Sequence, residues 1–184
     1  MGHLGITDKN PDRHALDVFN FILGGSGFTS RLMREVRTTA GLAYNVGSYF
    51  IHRPATGSFF AYCQTKADAM SQATGLMLGI INNAKDSGIT QEEMELAKES
   101  IINGFVFNYA TPDQIVNAKA TLELNGFPPD QLKKDLEAYQ AVTIDDCRRV
   151  AAKYLDPKNM VIIITGNKTL FDKPLETLGP VTDV

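Results

Sequence analysis

Between Leu23 and Tyr44 the chain reads Leu-Gly-Gly-Ser-Gly-Phe-Thr-Ser-Arg-Leu-Met-Arg-Glu-Val-Arg-Thr-Thr-Ala-Gly-Leu-Ala-Tyr. This stretch limits the fold more than any other. Glycine has no Cβ, so Gly24, Gly25 and Gly27 allow positive φ and close backbone approach where two helices meet. Gly41 then sits where a C′ glycine ends a helix, and the chain leaves it extended. Arg37 falls in the last helical turn and Tyr44 at the entry to a strand. A guanidinium and a phenol therefore flank one glycine break, and both can face the same side.

The periodicity on either side of this stretch sets the architecture. Leu4 and Ile6 read as a strand remnant before the polar turn Asp8–Asp12, which holds a proline. Leu16, Phe19, Ile22 and Leu23 recur at helical spacing from Arg13 onward, and Leu32, Val36 and Phe28 mark a second, shorter helix. From Leu42 to Arg53 the period drops to two, and Pro54-Ala55-Thr56-Gly57 turns the chain into a second strand, Ser58–Thr65, so the pair reads as a hairpin. Met70, Thr74, Met77, Leu78 and Ile81 then form a helical stripe ending near Gly88. Thr90 and Glu93 have capping-box spacing and open a helix with Met94, Ala97, Ile101 and Phe105 inward. Thr111-Pro112-Asp113-Gln114 repeats the device with proline at the first helical position. Two further helices carry Leu132, Leu136 and Tyr139, then Cys147, Val150, Ala151 and Leu155, the last capped by Thr143. Met160–Thr165 is a short apolar run with the length of a buried central strand. The order predicts an α+β fold with helices layered on one face of a mainly antiparallel sheet.

Composition excludes several functions. A net charge of −3 without a basic cluster argues against a nucleic-acid partner. No apolar run approaches the ~20 residues that span a bilayer. The start, Met1–Gly5, lacks the basic and apolar regions of a secretory leader, which leaves periplasm and cytoplasm both open. Cys63 and Cys147 lie far apart with no CxxC spacing and read as free packing residues. Gly24–Gly27 joins two helices and lacks the spacing of a phosphate-binding loop. The three histidines, His3, His14 and His52, form no i, i+4 pair and no His-x-x-Glu-His, so this chain is expected to bind no metal and no cofactor of its own.

The glycine stretch also resembles a known family. Gly-Gly-x-x-x-x-Ser-Arg-Leu followed by Arg-x-x-x-Gly-Leu-Ala-Tyr is similar to the second, non-zinc half of the M16 metallopeptidases, the pitrilysin and mitochondrial-processing-peptidase family. Gly57-Ser58-Phe59-Phe60, the segment Gly88–Lys98, Ala141–Asp146 and Val150–Leu155 extend the resemblance over nearly the whole chain. It implies a ferredoxin-like two-layer sandwich that forms one half of a clamshell, the LuxS- and processing-peptidase-like metallohydrolase fold. It also implies that residues 1–184 are one domain from a longer two-half protein, with 1–12 a truncated first strand and turn and 167–184 a tail.

In such a half, Arg37 contacts a substrate backbone carbonyl and Tyr44 helps stabilise the oxyanion at the scissile carbonyl, which completes a site whose zinc lies in the other half. The implied partners are that N-terminal half, in the same chain or a separate subunit, and a peptide or unfolded protein substrate. The chain alone would be inactive, and a half separated from its mate would expose apolar surface and could self-associate. On the residues alone, Arg37 is a helix C-terminal cation favoured by the macrodipole and Tyr44 a sheet residue. Ser30, Arg31 and Glu35 read as a cap, a surface charge and an i, i+4 pair. Glu92, Glu93 and Glu95 read as helix-start charge. The alternative reading is a non-catalytic scaffold or assembly subunit of the same fold.

Overall fold

The glycine stretch packs against the edge of a three-stranded antiparallel sheet in the computed structural model, which describes residues 1–86 and 88–182. The strands are β1 (Gly2–Leu4), β2 (Ala43–Ile51) and β3 (Ser58–Thr65), in the spatial order β1-β3-β2. Phe50 pairs with Phe59, Ser48 with Ala61 and Val46 with Cys63. Val46, Ser48, Phe50, Phe59 and Ala61 are all buried, so one face of the sheet meets the core. The fold is α+β, with helices on that one face, as the order of elements predicts.

The helices are α1 (Arg13–Asn20), α2 (Met70–Asp86), α3 (Gln91–Phe105), α4 (Pro112–Leu124), α5 (Gln131–Ala141) and α6 (Ile144–Tyr154). Leu16, Phe19, Leu23, Leu32 and Val36 meet Met77, Ile81, Val150 and Leu155 in one core. Full burial of side chains this size contributes ~1.5–3 kcal/mol each. Both predicted capping boxes form, at Thr90–Glu93 and Thr111–Gln114, and Thr143 closes a third with Asp146. The tail has a structural task that its sequence did not show. Asp172 accepts hydrogen bonds from the backbone N–H groups of Ser71 (2.8 Å) and Gln72 (3.1 Å), capping the first turn of α2 from 100 residues away.

Two segments depart from the sequence reading. Met160–Thr165 is not a buried central strand. Only Val161 bridges Gly2, in antiparallel sense, and both Val161 and Ile163 are exposed. Beyond that single bridge, residues 162–165 pair with no strand among the described residues. The helices flanking the glycines are also not uniformly α. Phe21–Gly25 and Met33–Thr39 are π-helical, joined through a 3₁₀ turn at Gly27–Thr29. Ser26 N–H bonds to the Phe21 carbonyl and Ala40 N–H to the Glu35 carbonyl, each five residues back. Gly24 lies inside the first π turn. A Cβ there would stand 2.4 Å from Ser48 Oγ and 2.8 Å from Leu32 Cδ1, so the missing side chain admits strand and second helix together.

Candidate functional site

Arg37 and Tyr44 come together, and two backbone irregularities bring them there. The first is the π-helical run Met33–Thr39, which carries Arg37 and places its Nη1 3.9 Å from Met33 Sδ. The second is a β-bulge at the start of β2. Ala43 pairs with Thr65 and Asn45 with Gln64, leaving Tyr44 as the surplus residue. A bulge re-aims the side chain it carries, and Tyr44 is largely exposed. Gly41, at φ +65°, makes the turn between them. Its N–H bonds to the Arg37 carbonyl at 3.2 Å, and Leu42 N–H bonds to the Val36 carbonyl at 2.9 Å.

The Arg37 guanidinium stands 5.5 Å from the centre of the Tyr44 ring and 5.0 Å from that of Phe28. Both distances are within cation–π range. Phe28, read from the sequence as a helix-packing position, sits instead in the exposed 3₁₀ turn as the second ring against Arg37. Two rings flank the flat cation of this half-buried side chain, and its Nη1 is directed at Met33 Sδ. The cluster thus presents a guanidinium and a phenol at the surface, both donors suited to a carbonyl oxygen.

The neighbouring residues hold this arrangement to the body. Ser30 Oγ donates to the Gly27 carbonyl at 2.8 Å and receives Met33 N–H at 3.4 Å, the capping role read from the sequence. Arg31 is not a surface charge. It is buried, and its Nε and Nη2 donate to both carboxylate oxygens of Glu93 at 2.7 and 2.6 Å, with Nη2 also on the Gly88 carbonyl at 3.1 Å. The Glu35 charge still acts on Arg31 at i, i+4, but the direct contact of Glu35 is with Arg34 at 3.6 Å. Glu93 does more than charge a helix start, because it joins α3 to the segment that carries Arg37. Burial works to raise its pKa, but the Arg31 guanidinium and the Thr90 N–H outweigh burial and hold it below the ordinary carboxylate value. Asn20 and Ser48, which the sequence reading passed over, exchange two buried hydrogen bonds. Asn20 Nδ2 donates to the Ser48 carbonyl at 3.1 Å, and Ser48 Oγ donates to Asn20 Oδ1 at 2.7 Å. No spacing rule links positions 28 residues apart.

The histidines are dispersed and engaged elsewhere. His14 Nε2 lies 3.0 Å from Asp135 Oδ1, and that buried carboxylate also takes Arg13 and Gln131. Burial raises the Asp135 pKa and these partners more than offset it, so it too is held low. His52 Nε2 lies 2.9 Å from Asp17 Oδ1, while the Tyr139 hydroxyl donates to Asp17 Oδ2 at 2.8 Å. His3 Nε2 accepts the Asp156 N–H at 3.2 Å. Among the described residues, no three His, Cys, Asp or Glu side chains converge as metal donors. The described donor groups therefore assemble no zinc-like ligand set.

The chain is similar to known proteins over most of its length. A family model described as the Peptidase M16 inactive domain matches residues 3–101, over half of the chain. A non-peptidase homolog from Helicobacter pylori is 27% identical over 165 residues, covering 89% of this chain and 38% of that protein. An uncharacterized zinc protease from Mycobacterium bovis is 29% identical over 158 residues, covering 83% of this chain and 36% of that protein. The chain thus spans little more than a third of the length of these relatives. The solved M16 inactive domain from Pseudomonas fluorescens superposes with a TM-score of 0.78 at 30% identity, covering 85% of this chain and 37% of that one. The family model covers more than half of the chain, including the glycine stretch and the hairpin, and this chain belongs to the M16 peptidase family, as an inactive domain.

Proposed function

We propose that the chain is the substrate-binding, non-zinc half of an M16-type zinc metallopeptidase. The observation that supports this most directly is the Arg37 guanidinium held between the Phe28 and Tyr44 rings, with the Tyr44 phenol beside it. In this reading Arg37 binds a backbone carbonyl of an extended peptide and keeps it in register. The Tyr44 hydroxyl donates to the oxygen on which negative charge develops as the scissile carbonyl is attacked. A preoriented donor of this kind is worth about 10²–10³ in turnover. The zinc and its ligands belong to a complementary half, in the same polypeptide or another subunit, and this chain alone cleaves nothing.

Peptide cleavage by the chain combined with a zinc-bearing M16 half tests this reading. Tyr44→Phe keeps the ring over Arg37 and removes only the hydroxyl, so kcat falls about 10²-fold with KM little changed. Arg37→Ala removes a binding contact and raises KM. Unchanged turnover in both variants would remove the assigned roles. The name of the H. pylori relative, a non-peptidase homolog, favours a second reading in which the chain is a non-catalytic scaffold of the same fold. Under that reading no zinc-bearing half restores cleavage.

A further inference from the structure

Two arginines of one helical segment are fixed in opposite ways. Arg31 is held through its N–H groups, which go to both Glu93 oxygens and to the Gly88 carbonyl. Those donors are used inside the fold. Arg37 has no such partner. Among the described residues no Asp or Glu pairs with it, and Glu35, two residues earlier, turns to Arg34 instead. Its neighbours are the Phe28 ring at 5.0 Å, the Tyr44 ring at 5.5 Å and Met33 Sδ at 3.9 Å. Phe28 is 71% exposed and takes no part in the core. The turn that carries it is nevertheless fastened on both sides. Thr29 Oγ1 donates to Ser26 Oγ at 2.8 Å, while Ser30 Oγ and Ser30 N–H both donate to the Gly27 carbonyl, at 2.8 and 3.2 Å. These hydrogen bonds hold in place a ring that core packing does not use.

We infer that Phe28 is a positioning residue for Arg37, an assignment that rests on the half-site reading above and adds a residue to it. A carboxylate fixes a guanidinium by accepting its N–H groups, as Glu93 does for Arg31. A ring attracts the cation through its π face and accepts no conventional hydrogen bond from it. Aromatic contacts therefore order the Arg37 side chain in advance, which lowers the rotamer entropy lost on binding. They do so without engaging the donors that a peptide carbonyl needs. Tyr44 shares the clamp but also carries the hydroxyl assigned to the scissile oxygen, whereas Phe28 has only a ring to contribute. Phe28 acts through Arg37, so its effect lies in the capture of peptide and not in turnover.

The first readout is NMR of the 184-residue chain. Ring currents should shift the Arg37 Cδ protons upfield, in a signal identified by its loss in Arg37→Ala. In Phe28→Leu that signal should move toward the ordinary arginine position, and in Phe28→Tyr, which keeps a ring, it should stay. The second readout is peptide cleavage by the chain combined with a zinc-bearing M16 half. Phe28→Leu should raise KM about two- to fivefold, the range of one exposed cation–π contact, with kcat little changed. Phe28→Tyr should keep the original KM. In an Arg37→Ala background Phe28→Leu should change nothing further, because no guanidinium is left to position. Thermal melts report whether each variant is folded. An Arg37 signal or a KM that ignores Phe28→Leu in a folded variant overturns the inference. So does a KM effect of equal size with and without Arg37, since Phe28 then touches the peptide itself. A KM indifferent to Arg37→Ala, or no cleavage at all, beside an Arg37 signal that still follows Phe28→Leu, overturns the half-site reading and with it the task assigned to Phe28.

Discussion

Gly24 and Gly41 are both essential to the site, for different physical reasons, and substitution separates them. At Gly24 the obstacle is space, because a Cβ would lie 2.4 Å from Ser48 Oγ and 2.5 Å from Ser48 N. Gly24→Ala should cost ~1–3 kcal/mol through overpacking, read as a lower urea midpoint, and no other residue at this position relieves it. At Gly41 the space is open and the obstacle is the backbone, held at φ +65°. Gly41→Ala should cost about 1–2 kcal/mol, and Gly41→Asn should recover part of it, because Asn tolerates the left-handed region. Equal effects of Ala and Asn at Gly41 would show that the φ argument is wrong. The sequence displayed both glycines but not this distinction. A turn requirement is local, whereas contact with Ser48 depends on a strand that arrives 24 residues later.

At the scale of elements, the Arg31–Glu93 pair fastens the Arg37-bearing helix to α3. Breaking one side of a buried ion pair costs about 3–5 kcal/mol, and this pair, in which Arg31 is buried and Glu93 partly exposed, should lose less than that. Arg31→Met and Glu93→Gln should therefore each destabilise, while the double variant recovers much of the loss. A double-mutant cycle in urea measures this, and strictly additive losses would show that the pair does not act as a unit. Thr143→Ala, which removes a cap, should cost about 1 kcal/mol by the same measurement. The helix starts were legible because capping is written within four residues. Thr90, Thr111 and Thr143 each meet their own third residue on. Glu93 shows where legibility ended, since its local partner Thr90 was readable and its distant partner Arg31 was not. The π turns and the bulge at Tyr44 also went unseen, because one surplus residue in a helix or strand leaves the hydrophobic pattern nearly intact. Met160–Thr165 failed in the opposite way. Its apolar run resembles that of a buried strand, but a strand also needs a neighbour.

At the scale of the whole molecule, the arginine-paired carboxylates set an acid limit. Glu93 and Asp135 titrate in the folded state below their ordinary values of 4.5 and 3.8. As pH falls through those values the unfolded chain takes up protons first, so stability is full above this range and declines below it. The urea midpoint should hold steady between about pH 7 and pH 5 and drop by about pH 3. The Arg31→Met/Glu93→Gln double variant should lose less over the same interval. A midpoint that does not move on acidification would contradict the low pKa values. The π-helical run Met33–Thr39 has a different consequence, for descent. It is a helix with one residue more than the ordinary repeat needs. Loss of one codon there would restore the α repeat, leave the core helices and the sheet in register, and re-aim the side chains of the segment, Arg37 included. Under the proposed function, a single codon in this segment would then separate the inheritance of the site from the inheritance of the fold.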